Sequence, residues 1–193
     1  MPRYSDRDAC LDPDSGVLKD RFGVTEAATL EALETDLAGA RFRELATRPL
    51  AAQFNLSHLQ AIRQYLFGDL YEWAGELRTV DISKNGHVFA HHTHIAASAA
   101  DIFRRLASEN HLRGLGKDAF AFRSAYYLVE INALHPFREG NGRTQREFMS
   151  ALATATGFYF AWEQTSQEEM LQASIASFHG KLDHLTAILK AIL

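Results

Sequence analysis

Cysteine is almost missing from this chain: Cys10 is the only one in 193 residues. A single thiol closes no internal disulfide. That excludes a disulfide-stapled secreted scaffold and fits a reducing, cytoplasmic setting. Long apolar runs are missing too. No stretch approaches the roughly 18 apolar residues that a membrane-crossing helix needs. The polar start, MPRYSDRDACLDPDSG, has no core of signal-peptide length. An excess of positive charge is also lacking. Lys and Arg total 20 against 24 Asp and Glu, a formal net charge of −4. Direct nucleic-acid binding is therefore not expected, although a local basic site stays open. There is no repeat, low-complexity tract or interdomain linker. What remains, 47% hydrophobic and 23% charged residues, suits one domain over 1–193 with a real core.

Helical spacing dominates. Residues 1–24 read as an irregular extension, with Asp12, Pro13, Asp14, Ser15 and Gly16 as turn formers. Thr25 is placed to cap a first helix, with Leu30, Leu33, Leu37 and Ala40 as its apolar face. Asn55 precedes a second, with Leu59, Ile62 and Leu66. A third covers about 95–110, with Ile95, Ile102 and Leu106. A fourth covers about 118–133, with Phe122, Tyr126, Leu128 and Val129. A fifth starts near Gly142 and carries Phe148, Met149 and Leu152. Ser166 and Glu169 form a capping box for a sixth. Gly180 separates a last helix, 181–192.

Residues 78–90, RTVDISKNGHVFA, break that pattern. Val80 and Ile82 alternate with polar neighbours. Asn85-Gly86 is a strong hairpin-turn signal, and His87, Val88 and Phe89 form the returning strand. The expected fold is mostly α-helical with one small β-hairpin, marginal by itself and dependent on the helices.

The densest chemistry lies in residues 135–146, HPFREGNGRTQR. Pro136 disfavours a helical backbone at His135, so the fourth helix stops there. Gly140 and Gly142 lead at once into a new helix. A glycine-containing loop feeding a helix N-terminus aims unpaired N–H groups at one point, an anion site. Arg143 and Arg146, three apart, add two guanidinium forks suited to a polyphosphate. Glu139 would repel phosphate unless a cation intervenes, and Mg²⁺ held by one carboxylate plus phosphate oxygens resolves this. His135 is then a general base for a hydroxyl attacking phosphorus. Phe137 reads as the loop's buried anchor. The residues alone specify a phosphate compound with Mg²⁺.

The same stretch resembles the signature of the Fic family, His-Pro-Phe-x-(Asp/Glu)-Gly-Asn-Gly-Arg-x-x-Arg. His135, Pro136, Phe137, Glu139, Gly140, Asn141, Gly142, Arg143 and Arg146 match it. YEWAGELR (71–78), the hairpin and EINALHPF (130–137) are similar to the family as well. The resemblance implies an all-α fold with a hairpin flap beside the active site. It implies transfer of AMP from ATP to a hydroxyl of a target protein. His135 would deprotonate that hydroxyl and Glu139 would hold Mg²⁺. Gly140, Asn141, Gly142 and Arg143 would bind phosphates, and Arg146 the γ-phosphate end. The flap (Ile82, Ser83, Lys84, Asn85, Gly86, His87, Val88 and Phe89) would pair with an extended target segment by strand addition. Related Doc-type proteins have lysine where Gly142 sits and transfer the γ-phosphoryl group, so Gly142 favours AMP transfer. Alternatives are phosphoryl or phosphocholine transfer and a silent nucleotide- or antitoxin-binding module.

Many Fic proteins are restrained by a helix of pattern (Ser/Thr)-x-x-x-Glu-(Gly/Asn), whose glutamate occupies the second signature arginine, here Arg146. Thr165 to Glu169 begins that pattern, but Met170 breaks it, and Glu169 reads as a capping acid. The resemblance therefore implies a toxin whose inhibitory glutamate comes from a separate small antitoxin. Its implied targets are the ATPase subunits of DNA gyrase and topoisomerase IV. A fragment of a host-GTPase-modifying effector is the alternative, which the lack of extra modules at either end counts against. His87, His91, His92 and His94 cluster, but no cysteine or nearby acid in the sequence completes a ligand set, so a surface loop is expected. Trp73 and Trp162 are expected in packing roles, with Trp162 a candidate border of an adenine pocket.

Overall fold

A computed structural model describes residues 8–84, 86–178 and 180–193, the side chain of Phe178 excepted. Residues 1–7 of the N-terminal extension and Asn85 of the flap lie outside the described residues. Seven α-helices and one hairpin are found among those described: α1 (Ala27–Thr47), α2 (Leu56–Phe67), β1 (Ser83–Lys84), β2 (His87–Val88), α3 (Ile95–Ser108), α4 (Lys117–Leu134), α5 (Asn141–Thr154), α6 (Gln167–Phe178) and α7 (Asp183–Ala191). None of the described helices is long and apolar enough to cross a membrane.

Helix α4 is the central post, packed against α3, α5, α6 and α7, while α2 lies on α5 and α1 on α2. Its buried set, Phe120, Ala121, Ser124, Ala125, Tyr127, Leu128, Ile131 and Leu134, covers about half of its circumference. The expected stripe led by Phe122 is therefore the wrong side. Phe122 is exposed, and Tyr126 and Val129 are only half-buried. The buried half includes the small residues Ala121, Ser124 and Ala125, while Phe122, Tyr126 and Val129 lie on the other half, so apolar residues occur all round and mark no single stripe.

The first helix is also rotated from expectation. Leu30, Glu34, Ala38 and Leu45 are its buried residues, while Leu33 and Leu37 are half-buried and Ala40 is exposed. An acid, Glu34, sits in the middle of the inner face. Thr25 does not cap this helix: Glu26 occupies that position without a side-chain cap bond. The other expected caps form. Asn55 Oδ1 accepts the His58 N–H at 2.9 Å. Ser166 Oγ accepts the Glu169 N–H at 3.1 Å while Glu169 Oε2 accepts the Ser166 N–H at 2.9 Å.

The hairpin is shorter than its sequence pattern. Ser83 pairs with Val88 and Lys84 with His87. The Phe89 N–H still reaches the Ile82 carbonyl at 3.3 Å. Val80, expected in the first strand, is instead buried below it. Arg78, with its side chain fully buried, ties the hairpin's base to the end of α4. Its Nε donates to the His135 carbonyl at 2.8 Å and its guanidinium to the carbonyls of Val80, Leu134 and Ala90. The Arg78 N–H also meets the Pro136 carbonyl at 2.9 Å. One side chain thus satisfies orphan carbonyls at a helix C-terminus and fixes the flap above it.

Candidate active site

The site is built where α4 ends and α5 begins. Pro136 keeps His135 out of the right-handed helical region, and His135 adopts φ 44°, ψ 63°. Its N–H closes on the Ile131 carbonyl at 3.0 Å, a left-handed helix end. This turn carries the imidazole beneath the flap, where Phe89 stacks on it with ring centroids 3.8 Å apart and planes at 14°. Burial drives the His135 pKa down to about 3. The Asn132 backbone acts in the opposite direction, and the charges of Arg78 and Lys84 add to the depression. The ring is therefore neutral, the form a general base requires.

The loop is clamped from both sides. Phe137 is 1% exposed, a burial worth roughly 1.5–3 kcal/mol. Asn141 Oδ1 accepts the Phe137 N–H at 3.0 Å and its Nδ2 donates to the Phe137 carbonyl at 2.7 Å. The Asn141 side chain is thus committed to the loop, so an anion here would meet its backbone N–H. Gly140 has φ +75°, and a Cβ there would lie 2.8 Å from the Phe67 ring. Gly142 is exposed with nothing within 4 Å of a Cβ position. The N–H groups of Asn141, Gly142 and Arg143 lie in the first turn of α5, where the helix offers no acceptors.

Three arginines surround this turn. Arg146 is partly buried, its pKa lowered by burial and then by Arg143, and it has no salt bridge among the described residues. Arg143 pairs with Glu34 of α1 and lies 4.7 Å over the Phe67 ring. Tyr71 holds the other Glu34 oxygen at 2.6 Å. Arg63 of α2, fully buried, donates from Nε to the Glu139 carbonyl at 2.9 Å and lies 4.0 Å over Phe67. Its other two nitrogens have no hydrogen-bond partner, and burial pushes its pKa down to about 10. Glu139 is exposed, with Oε1 accepting the Gly140 N–H at 2.9 Å. An exposed carboxylate beside these N–H groups fits a hard cation shared with phosphate oxygens.

The loop lies between two helices as the sequence predicts, but its supports were not predicted. Arg63, Glu34, Phe67 and Arg78 come from three distant segments. Arg63 and Glu34 did leave a signal: each is a charged residue on the inner face of an amphipathic helix, one among Leu59, Ile62 and Leu66 and the other between Leu30 and Ala38. The flap residues divide. Ser83, Lys84 and Val88 are exposed, Ile82 and His87 half-buried, and Phe89 buried against His135. Trp162 lies beside α5, its indole N–H on Ser150 Oγ at 2.8 Å and its ring 5.0 Å from that of Phe160. Trp73 stacks on Tyr71 at 4.4 Å.

Comparison with known proteins places this geometry. The Fic/DOC family model matches residues 53–153. Protein adenylyltransferase VbhT of Bartonella schoenbuchensis is 44% identical over 191 residues, 98% of this chain and 40% of that protein. This chain thus spans well under half of that relative's length. A Salmonella typhimurium protein named "Probable protein adenylyltransferase Fic" is 35% identical over 94% of this chain and 90% of its own length. Among solved structures, the N-terminal Fic domain of a Bep effector protein from Bartonella quintana, with bound ADP, superposes with a TM-score of 0.91. It is 26% identical and covers 95% of this chain and 93% of that one.

Proposed function

The chain belongs to the Fic/DOC family, and from that premise we propose that it is a protein adenylyltransferase, moving AMP from ATP to a hydroxyl of a target protein. The observation that carries this reading is the pairing of two groups at opposite ends of one loop. His135 is neutral at physiological pH, and Arg146 is a part-buried cation with no salt bridge among the described residues. One awaits a proton and the other an anion.

His135 takes the proton of the target's hydroxyl as the oxygen attacks the α-phosphorus of ATP. The new O–P bond forms as the bond to the β-phosphate breaks, and pyrophosphate leaves. A base with a pKa of about 3 is weak alone. A triphosphate arriving beside it favours the imidazolium and raises that value when the reaction needs it. The first-turn N–H groups of α5 and Arg146 receive phosphate oxygens. Arg143 joins them by leaving Glu34 or by sharing its guanidinium with it. Mg²⁺ would be held by Glu139 and would neutralise charge on the phosphates. The open space over Gly142 suits a β-phosphate close to the backbone.

The flap supports target docking by strand addition. Its strands are short, with Ser83, Lys84 and Val88 exposed, and its base is fixed to His135 by Arg78 and Phe89. A paired target segment would thereby be held at a set distance from the base. The inhibitor is proposed to be a separate small antitoxin bringing a glutamate to Arg146. Glu169 is occupied by its capping box, and Glu34 pairs with Arg143 rather than Arg146. The ATPase subunits of DNA gyrase and topoisomerase IV are the proposed targets, in the cytoplasm.

The test runs α-labelled and γ-labelled ATP side by side, with Mg²⁺ and these subunits, and His135→Ala as control. Label from the α-position alone, lost in the variant, is expected. Label from the γ-position would make the chain a kinase. No label on these subunits, but an α-labelled band elsewhere in a lysate, would overturn the target and keep the reaction.

A further inference from the structure

The histidine cluster beside the flap has the acid that its sequence neighbourhood lacks. Asp81 leads into β1, and His91 and His92 follow β2. The hairpin brings these ends together. Asp81 Oδ2 lies 3.2 Å from His91 Nε2, and Asp81 Oδ1 lies 3.0 Å from His92 Nδ1. One ligand atom from each of the three residues falls within 4.8 Å of the others. The two imidazoles stack with centroids 4.6 Å apart, so both present nitrogens to the same carboxylate.

We propose that Asp81, His91 and His92 form a binding site for a divalent transition metal, with Zn²⁺ the ion their chemistry suits best. Ligands around a tetrahedral zinc at about 2.0–2.1 Å from the metal stand about 3.3 Å apart, close to the two separations found here. Two imidazoles and one carboxylate select zinc, nickel or copper over magnesium, which wants oxygen donors. Three protein ligands leave a fourth position for water or for His94, whose ring centroid lies 5.7 Å from that of His91. Asp81 and His91 are exposed and His92 is half-buried, so an ion has a path in. A competing arrangement, two plain His–Asp hydrogen bonds, uses the same atoms.

The site has a mechanical consequence. Asp81 already accepts the His92 N–H at 2.8 Å and lies 3.7 Å from Arg78. A metal here cross-links the flap's two ends at the level of the clamp that holds His135. It stiffens the base and leaves the exposed tip unchanged.

The untagged chain, dialysed against chelator, is titrated with Co²⁺ and then with Zn²⁺. Tetrahedral Co²⁺ gives strong visible absorption, and Zn²⁺ displaces it. Two variants separate metal binding from structure. Asp81→Asn keeps an oxygen for the His92 N–H and loses the carboxylate, and His91→Gln removes one imidazole at an exposed position. The expected result is visible bands for the wild type and affinity reduced about tenfold or more in each variant. Absence of bands in the wild type, or equal affinity in the variants, overturns the proposal.

Discussion

Gly140 and Gly142 stand two residues apart in one signature, yet the structure gives them opposite constraints. A methyl group at Gly140 would strike the Phe67 ring at 2.8 Å, on a backbone with φ +75° that resists any side chain. Gly140→Ala should cost about 2–5 kcal/mol from overpacking and backbone strain together, read in urea unfolding. Gly142→Ala meets nothing within 4 Å and should leave that midpoint in place. Its effect should be on ATP affinity, since the methyl group enters space assigned to phosphate. Equal losses of stability in the two variants would contradict the packing. His135 makes a second residue-scale prediction. Its folded pKa of about 3 lies below the ordinary value near 6.5. The unfolded chain therefore binds a proton that the folded chain refuses, and stability falls as pH drops from about 6.5 toward 3. His58, buried and also lowered by desolvation, acts in the same direction. His135→Asn should flatten part of this decline between pH 7 and pH 5. Histidine NMR should show His135 neutral at pH 5 in the free protein.

The hairpin is an element that cannot stand alone, because two residue pairs give too few bonds and too little buried surface. Its position depends on Arg78, whose guanidinium gathers carbonyls from both flap ends and from the last turn of α4. Arg78→Met keeps the length and removes every donor. It should destabilise the fold by about 3–5 kcal/mol, since buried carbonyls then lack partners. Hydrogen exchange should speed up at Ala90 and at the end of α4 more than at α7, and a uniform change would contradict a local clamp. Elements also show what the sequence could convey. The start of α2, the end of α4 and the capping box are local, set by neighbours within a few positions, and Asn55, Pro136 and Ser166 announce them. The buried faces of α1 and α4 were misplaced because helix rotation is decided by partners far along the chain. Arg63 and Arg78 were missed as site residues for the same reason. Their partners, at Glu139 and at His135, lie 76 and 57 positions away.

Across the whole molecule the charges around the loop are unevenly matched. Glu34 answers Arg143, Asp8 answers Arg138 in a buried pair at 2.6 Å, and Arg146 has no such acid among the described residues. The pair of Asp8 and Arg138 is a charge-assisted contact between the N-terminal segment and the loop, stronger than a neutral hydrogen bond. Asp8→Asn should therefore loosen the N-terminal segment from the loop and lower stability, read as a lower urea midpoint. Arg146 is different, because its acid is expected to come from outside the chain. A carboxylate held there would take the place assigned to the γ-phosphate, so inhibition and ATP binding exclude each other. The purified chain should then be active alone and arrest bacterial growth when expressed. Arg146→Ala should weaken ATP binding, and it should also abolish inhibition by a glutamate-bearing partner in whatever activity remains. Glu169→Gly removes only a helix cap and should leave the rate unchanged. An inert wild-type chain that Glu169→Gly awakens would mean that the inhibitor lies within the fold after all. The capping geometry, with the Glu169 carboxylate turned onto the Ser166 N–H and Oγ, argues against that outcome.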